Sequence, residues 1–240
     1  MCLTKNRPEM LARAVDSFKA QTYKDKWLLI LDTGAPSVLY ESDDVYHEHV
    51  PELDYLTIGA LRNNANGYTD PAYHDWSADI ICHFDDDDWS NTNRIAEQVA
   101  LLQASGADAV GYSNMLFWDT RPGVQDGMDA LDAAWLYLGP QKALGTSLCY
   151  WRRTWQQKPF PDQPRPGFAS GEDTDWIKGL NLVSVSSLVE SEQDRIGYIT
   201  PRMIARIHGK NTSGSYKLME GSTSWRRVPE WDSYCRGVFA

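Results

Sequence analysis

The fold is decided by residues 80–89, IICHFDDDDW, in which an apolar run is followed at once by four acids. The run has the length and composition of a strand that is buried on both faces, as in parallel sheets. Four adjacent carboxylates repel one another, so a positive group is expected beside them. In open α/β sheets, ligands bind at the carboxyl ends of the strands. The stretch therefore predicts an α/β fold with an acidic ligand site at that end of the sheet.

The spacing of the acids indicates a metal site. In an extended segment, side chains two residues apart share a face, so Asp85 and Asp87 are expected to point into one cleft. Hard oxygen ligands select Mg²⁺ or Mn²⁺, which keep waters and bind substrate phosphates. A solvated acidic turn is the alternative, because Asp also favours the start of a helix.

Segments on both sides of this stretch alternate between strand and helix. Such alternation predicts an α/β fold with a mainly parallel sheet in one domain. Residues 38–54, an Asn-rich stretch from 63 to 67 and a tail from 215 are expected to be irregular. Strands are predicted at 27–31, 55–58, 80–84, 109–118, 147–151, 182–189 and 203–207, and helices at 8 to about 21, near 73–78, at 92–104 and at 172–178.

Composition excludes several classes of protein. The 240 residues are 42% hydrophobic and 23% charged, which is typical of a folded globular chain. The formal net charge of −10 disfavours general DNA binding, which needs clustered Lys and Arg. No apolar run approaches the ~18–20 residues that span a bilayer, and no signal peptide is recognisable. A soluble, cytoplasmic protein is expected.

The four cysteines, Cys2, Cys82, Cys149 and Cys235, are far apart and form no Cys-x-x-Cys pair. A zinc site and a redox motif are therefore not expected, and a reducing compartment is the simplest interpretation.

Three further groups of polar residues suggest chemistry. Asp32 ends a predicted strand, where it could accept from a nucleoside or simply form a turn. Glu172 and Asp173 at a loop-to-helix junction could supply a general base, or be acids that favour a helix N-terminus. Residues 206–214, RIHGKNTSG, combine cations, an imidazole and glycines, which suits a lid over a diphosphate. His208 would then be a metal ligand or phosphate donor, although a lone His is more often structural.

Together, these segments resemble the family 2 glycosyltransferases over about residues 1–212. The late segment at 208–212 matches a His-x-x-Asn-Thr pattern of some members. At 33–34, Thr-Gly replaces the second Asp and the Gly of the family's usual Asp-Asp-Gly-Ser. The matching segments are 4–8 (TKNRP), 21–23 (QTY), 31–34 (LDTG), 84–89 (FDDDDW), 171–173 (GED) and 208–212 (HGKNT).

The resemblance implies a GT-A fold, with a mainly parallel central sheet flanked by helices and a smaller acceptor-side sheet. It also implies a nucleotide-diphosphate-sugar donor with UDP as the default nucleotide, and inversion at the anomeric carbon. It implies one domain over 1–240, in which 1–115 binds the donor, 116–214 binds the acceptor and 215–240 is a tail. The implied catalytic residues are Asp173 as base and Glu172 as its support. The implied donor contacts are Asp32, Arg62, Asp85, Asp86, Lys210 and Asn211, and the implied ligands of Mn²⁺ or Mg²⁺ are Asp85, Asp87 and His208.

Two other functions stay open at this stage. A sugar nucleotidyltransferase also has an α/β fold and metal-binding acids, but the Gly-rich phosphate loop that it usually carries is not found. A non-catalytic nucleotide- or sugar-binding module would need no base, and the pair at 172–173 favours an enzyme. The acceptor could be a glycan, a protein, a lipid-linked sugar or a modified nucleobase.

Overall fold

The computed structural model describes residues 1–35, 39–70, 77–121, 132–140, 142–162, 171–190, 199–208 and 222–240. The helices are α1 (Pro8–Lys19), α2 (Ile58–Gly67), α3 (Arg94–Ser105), α4 (Arg152–Gln157), α5 (Glu172–Trp176) and α6 (Asp232–Phe239). The strands are β1 (Cys2–Thr4), β2 (Leu28–Asp32), β3 (Val45–His49), β4 (Ile80–Cys82), β5 (Trp89–Ser90), β6 (Ala109–Asp119), β7 (Ala133–Tyr137), β8 (Cys149–Trp151), β9 (Leu182–Ser186), β10 (Leu188–Glu190), β11 (Ile199–Pro201), β12 (Met203–Ile207) and β13 (Trp225–Arg227).

The first part of the chain forms a parallel sheet. β2 lies between β1 and β3 and is parallel to both. Two hydrogen bonds continue this arrangement to β4: the Met1 amino group donates to the Cys82 carbonyl, and the Phe84 amide donates to the Met1 carbonyl, both at 2.9 Å. The carboxyl ends of β1, β2 and β4 therefore meet at one edge, which is the edge where the sequence predicts a ligand site.

The second part of the chain forms a larger, mixed sheet around β6. This long strand is antiparallel to β7 and β8 and parallel to β9 and β12. β4 pairs with β8, so the end of β4 is in contact with both parts of the molecule. The α/β class is confirmed, and each sheet contains parallel pairs. The second sheet was expected to be the smaller one, but within the described residues it has eight strands against three in the first, because the long β6 pairs with four other strands.

β2 is buried on both faces, which explains why its first four residues are apolar. Leu29 and Leu31 pack into a core that also contains Trp176, on one face of the sheet. Leu28 and Ile30 pack on the other face, against α1 and α3. Because both faces are covered, no polar alternation is expected, and the prediction of a doubly buried strand is confirmed.

Two local predictions were wrong. Residues 55–58 do not form a strand, because the Thr57 hydroxyl accepts from the Ala60 amide at 3.1 Å and caps α2, which also takes in the Asn-rich stretch. Asn66 is tolerated inside this helix because its side-chain amide donates to the Arg62 carbonyl and to the Tyr150 hydroxyl. Residues 38–54 are not wholly irregular, since β3 forms there beside β2.

The remaining differences are smaller. The tail from 215 includes β13 and α6 within its described portion, although its sequence shows no clear period. Most of the helix predicted near 73–78 lies outside the described residues. Over the described ranges, no helix is long and apolar enough to cross a membrane.

Candidate active site

Asp85–Asp88, here called the four-aspartate segment, follows β4. Asp86 and Asp88 bind different parts of the chain. Asp86 is 2% exposed and is held by β1 and the turn after it. The Thr4 hydroxyl donates to Asp86 Oδ2 at 2.6 Å, and Arg7 Nη2 lies 2.9 Å from Asp86 Oδ1. Burial raises the pKa of Asp86 to about 7, although the Arg7 guanidinium acts in the opposite direction. Asp86 thus fixes the segment to the start of the chain.

Asp88 anchors the other side of the segment. Its Oδ2 accepts from the Thr146 hydroxyl, and its Oδ1 accepts from the Arg206 amide at 3.2 Å. Burial raises the pKa of Asp88 well above its ordinary value, and the charges of Asp87 and Asp85 add to that effect. Sequence reasoning did not identify Thr146, because nothing in its local sequence marks it as a partner of an acid 58 residues away.

Asp87 contacts one guanidinium and one imidazole. Arg7 Nη1 is 3.1 Å from Asp87 Oδ2, and His208 Nε2 is 3.0 Å from the same oxygen. The sequence placed Asp87 and His208 in one metal site, and the structure brings these two side chains together. Within the described ranges, no three metal-ligating side chains are grouped closely enough to hold an ion by themselves.

The donor set at this position nevertheless suits a hard divalent ion. One carboxylate and one imidazole leave most of a six-coordinate shell for waters and substrate oxygens, which is how Mg²⁺ is usually bound. Asp85, whose side chain is partly exposed, could add a third ligand. The proposed ligand set therefore fits the ion chemically.

A second group of charged residues, here called the Arg62 cluster, contains Arg62, His83, Glu172 and Asp173. Arg62 is 6% exposed; its Nε lies 3.3 Å from Glu172 Oε1, and its Nη1 lies 2.9 Å from His83 Nδ1. Burial acts to lower the pKa of Arg62, but the charges of Asp85, Glu172 and Asp173 outweigh it and raise that pKa. Acids from both halves of the chain therefore interact electrostatically with Arg62.

His83 is neutral in this cluster. Burial lowers the pKa of His83 well below its ordinary value, and the Arg62 cation lowers it further. His83 Nδ1 lies 2.7 Å from the Gly145 carbonyl, so the tautomer that donates there satisfies that oxygen. The same nitrogen cannot also accept from Arg62, so the 2.9 Å contact with Arg62 is a packing contact in that tautomer.

Asp173 lies directly against the backbone of Gly145. A Cβ atom at Gly145 would lie 1.4 Å from Asp173 Oδ2 and 2.4 Å from its Cγ, so only glycine leaves room for this carboxylate. Burial raises the pKa of Asp173 to about 6, and the charge of Glu172 raises it while Arg62 lowers it. A carboxyl group with this pKa is ionised at neutral pH and basic enough to accept a proton.

Asp32 ends β2 at the same edge of the sheet. Its Oδ1 accepts from the Gly34 amide at 2.8 Å, and its Oδ2 lies 3.4 Å from His47 Nε2. The side chain is 3% exposed, so these contacts currently serve the turn. Its predicted contact with a nucleoside stays a prediction, as do the donor contacts of Arg62, Asp85 and Asp86. Lys210 and Asn211 lie outside the described residues.

Arg94 was not identified from the sequence. It is fully buried, and its Nη2 donates to the His83 carbonyl at 2.7 Å and to the Thr146 carbonyl at 3.2 Å. It thereby joins His83 to the turn at 145–147. These are the backbone segments next to the four-aspartate segment and to Asp173. Its contacts span 11 and 52 residues, so its sequence context as the first residue of α3 gives no sign of this function.

Comparison with solved structures shows the fold. The crystal structure of Staphylococcus aureus TarS residues 1–349 in complex with UDP-GlcNAc is 11% identical, with a TM-score of 0.53 over 85% of this chain and 57% of that one. The mannosyltransferase PcManGT from Pyrobaculum calidifontis, in complex with GDP-Man and Mn²⁺, is 12% identical, with a TM-score of 0.50 over 77% and 53% of the two chains. This chain thus spans somewhat over half the length of these structures. A search of curated proteins finds no match.

The sequence comparison shows the family. The model of glycosyl transferase family 2 matches residues 3–125, which include β1, Asp32, Arg62 and the four-aspartate segment. The match ends before Glu172 and Asp173. The interest in these two acids comes from their positions, with Glu172 beside Arg62 and Asp173 against Gly145. The predicted resemblance is confirmed: the chain belongs to glycosyl transferase family 2 and has the GT-A fold of these enzymes.

Proposed function

We propose that the protein is a metal-dependent, inverting glycosyltransferase that moves a sugar from a nucleotide-diphosphate sugar to an acceptor hydroxyl. The observation that carries the proposal is that Arg62, from the donor side, lies 3.3 Å from Glu172, on the acceptor side. The charges of Asp85, Glu172 and Asp173 all raise the pKa of Arg62. A transferase needs its donor site and its base within reach of one sugar. We assign residues 1–115 to the donor and residues 116–214 to the acceptor.

On the donor side, Asp87 and His208 would hold Mn²⁺ or Mg²⁺, with Asp85 beside them. When bound, the ion supplies Lewis-acid stabilisation to the negative charge that develops on the leaving diphosphate. Asp32 would exchange its contact with His47 for a nucleoside hydroxyl or base N–H. Lys210 and Asn211 would bind the diphosphate as part of the segment that follows His208.

On the acceptor side, Asp173 would take the proton of the attacking hydroxyl. Its pKa of about 6 lets it stay ionised at neutral pH while still accepting a proton in the transition state. Glu172 accepts from the Gly171 amide at 2.9 Å and pairs with Arg62, so it supports the base electrostatically and stays in place. With Asp173 as base, the acceptor oxygen would displace the diphosphate in a single step, which is the inverting mechanism that the family resemblance implies.

Two donor nucleotides have to be tested. The TarS structures contain UDP and UDP-GlcNAc, and the PcManGT structure contains GDP-Man and Mn²⁺. A UDP-sugar is the first choice, because it is the default donor that the family resemblance implies. The acceptor is left open among a glycan, a protein, a lipid-linked sugar and a modified nucleobase.

The function can be tested before the acceptor is known, because water can replace it slowly. The purified protein is incubated with UDP-glucose, UDP-GlcNAc and GDP-mannose, in Mn²⁺ or in EDTA, and the released nucleoside diphosphate is measured. We expect release from one donor in Mn²⁺ only, and NMR of the released sugar should show the inverted anomer first. Release of a nucleoside monophosphate or triphosphate, or of nothing from any donor, would contradict the proposal.

A further inference from the structure

Two cysteines that are distant in the sequence lie side by side in the fold. Cys82 is the last residue of β4, Cys149 is the first of β8, and the two are directly opposite in the antiparallel pair. Their sulfur atoms are 3.0 Å apart, although 67 residues separate them in the chain. The His83 amide donates to the Leu148 carbonyl at 2.8 Å, which makes Cys82–Cys149 the neighbouring, non-hydrogen-bonded pair.

Such a pair has room for a covalent bond. In a non-hydrogen-bonded antiparallel pair the Cα atoms are about 4.5 Å apart, within the range of about 4.4–6.8 Å found for disulfides. The sulfurs would have to approach by about 1 Å to reach the S–S bond length of about 2.05 Å. The two thiols are therefore placed to join without movement of either strand as a whole.

The electrostatic surroundings favour a thiolate at Cys82. Contact with the Cys149 thiol lowers the pKa of Cys82 against the effect of burial, and the Arg94 cation lowers it further. The hydrogen bonds of Arg94 to Gln98, Ser90 and two backbone carbonyls all run to neutral oxygens, so they leave its positive charge unneutralised. Burial raises the pKa of Cys149 well above its ordinary value, so Cys149 keeps its proton.

A small oxidant can reach Cys82. This residue lines a cavity of about 290 Å³, together with Tyr23, Trp27 and Trp151. Trp27 is 37% exposed, so the cavity opens to solvent beside it. Cys149 is fully buried and lies behind Cys82. The more accessible sulfur is thus the one that the charges activate.

We propose that Cys82 and Cys149 form an oxidisable dithiol site, in which a hydroperoxide joins β4 to β8 through a disulfide. The Cys82 thiolate attacks the peroxide, an S–O bond forms, the O–O bond breaks, and the leaving hydroxide or alkoxide takes a proton. Cys149 sulfur then attacks Cys82 sulfur, an S–S bond forms, and the S–O bond breaks to release water with the Cys149 proton. The dithiol loses two electrons and the peroxide gains them.

The disulfide would lie outside the candidate active site. It would join the strand that leads into the four-aspartate segment to the strand that leaves the turn at 145–147. A disulfide that closes a loop of this length restricts the unfolded chain, so we expect the oxidised protein to melt about 5 °C higher than the reduced one. The inference concerns thiol chemistry and holds whichever sugar is transferred.

The test treats the full-length, folded chain with hydrogen peroxide, blocks the remaining thiols, and maps the peptides without reduction. We expect a peptide pair that links Cys82 to Cys149, two remaining thiols out of four, and reversal by dithiothreitol. The Cys235→Ser variant, which removes a buried cysteine outside the pair, should form the same link, and Cys149→Ser should not. Four free thiols, a link between other cysteines, sulfinic acid at Cys82 without a link, or linkage only after denaturation in urea would overturn the proposal.

Discussion

The four-aspartate segment and the Arg62 cluster lie beside one another and both concentrate carboxylates, yet they balance that charge differently. In the segment, Asp86 and Asp88 are each held by hydroxyl and backbone or guanidinium partners, while Asp87 contacts the guanidinium of Arg7 and the imidazole of His208. In the Arg62 cluster, one guanidinium lies directly against Glu172. In the segment, burial raises the pKa of Asp86 and of Asp88. In the Arg62 cluster, burial and the neighbouring Glu172 raise the pKa of Asp173.

The difference indicates what each group can do. Adjacent acids with Arg7 beside them can attract a further cation, which suits a metal ion and its diphosphate. In the Arg62 cluster, Arg62 contacts Glu172. Burial and the charge of Glu172 therefore raise the pKa of Asp173 by more than Arg62 lowers it. We therefore expect aspartate to serve as a cation ligand in the four-aspartate segment and as a base in the Arg62 cluster.

The largest expected effect is on kcat, and it distinguishes the function of Asp173 as a base from that of the donor site. Asp173→Asn keeps the shape of the side chain but removes its basicity, so we expect kcat to fall by about 10²–10⁴ while donor affinity is retained. Nucleoside diphosphate release and calorimetry measure the two quantities. The matched control is Asp175→Asn on the same helix, which should leave both unchanged. A loss of donor affinity equal to the loss of kcat would assign Asp173 to the donor site.

A glycine substitution tests the position of the base without changing the base itself. In Gly145→Ala the new methyl group overlaps the Asp173 carboxylate, which must move. We expect kcat to fall by about 10², the effect of a displacement near 1 Å, with little change in donor affinity. Gly67→Ala is the control, because no atom lies within 4 Å of its added carbon. Full activity in Gly145→Ala would mean that Asp173 is not the base.

The pH profile tests the cause of the altered pKa. Asp173 must be ionised to act, so the rate of donor hydrolysis should fall about tenfold for each pH unit below about 6 and be constant above about 7. In Glu172→Gln a like charge is removed and Arg62 is freed to attract Asp173, so the midpoint should move to lower pH. A midpoint that stays in place, or moves to higher pH, would contradict the proposed coupling.

The smallest effect concerns the stability contributed by Asp86. Because burial raises its folded-state pKa, protonated Asp86 stabilises the fold at low pH, and that stabilisation is lost as pH rises through about 7. Asp86→Asn resembles the protonated form, so it should melt on the order of 2–4 °C higher than the wild type at pH 8 and equally at pH 4. Thermal denaturation at the two pH values measures this, and a variant that is less stable at pH 8 would show that the Arg7 ion pair dominates.

Local patterns predicted the parts of the fold that depend on local chemistry. The apolar runs of β2 and β4 and the spacing of α3 are properties of short windows, and each is found where the sequence placed it. The prediction failed at 55–58, where a single capping hydroxyl at Thr57 outweighed β-forming side chains. It also failed at β3, whose polar sequence becomes a strand only because β2 is beside it.

The site shows the same division. Asp87 and His208 were predicted from motifs and lie 3.0 Å apart. Thr146, Gly145 and Arg94 could not be predicted, because each acts through contacts with residues that are distant in the chain. The proximity of the two cysteines is likewise a property of strand pairing, which their spacing in the sequence does not reveal.

The central claim is that a metal ion bound at Asp87 holds the donor nucleotide. It is tested most directly by calorimetric titration of UDP into wild type, Asp87→Ala and Asp43→Ala, each in Mn²⁺ and in EDTA, with GDP as the second nucleotide. Asp43 is an exposed acid at the opposite end of the parallel sheet and serves as the charge-matched control. We predict that wild type and Asp43→Ala bind in Mn²⁺ and lose at least about tenfold in affinity in EDTA, about 1.4 kcal/mol, and that Asp87→Ala binds weakly in both. Equal binding by Asp87→Ala and wild type in Mn²⁺, or binding that is unchanged by EDTA, would contradict the account.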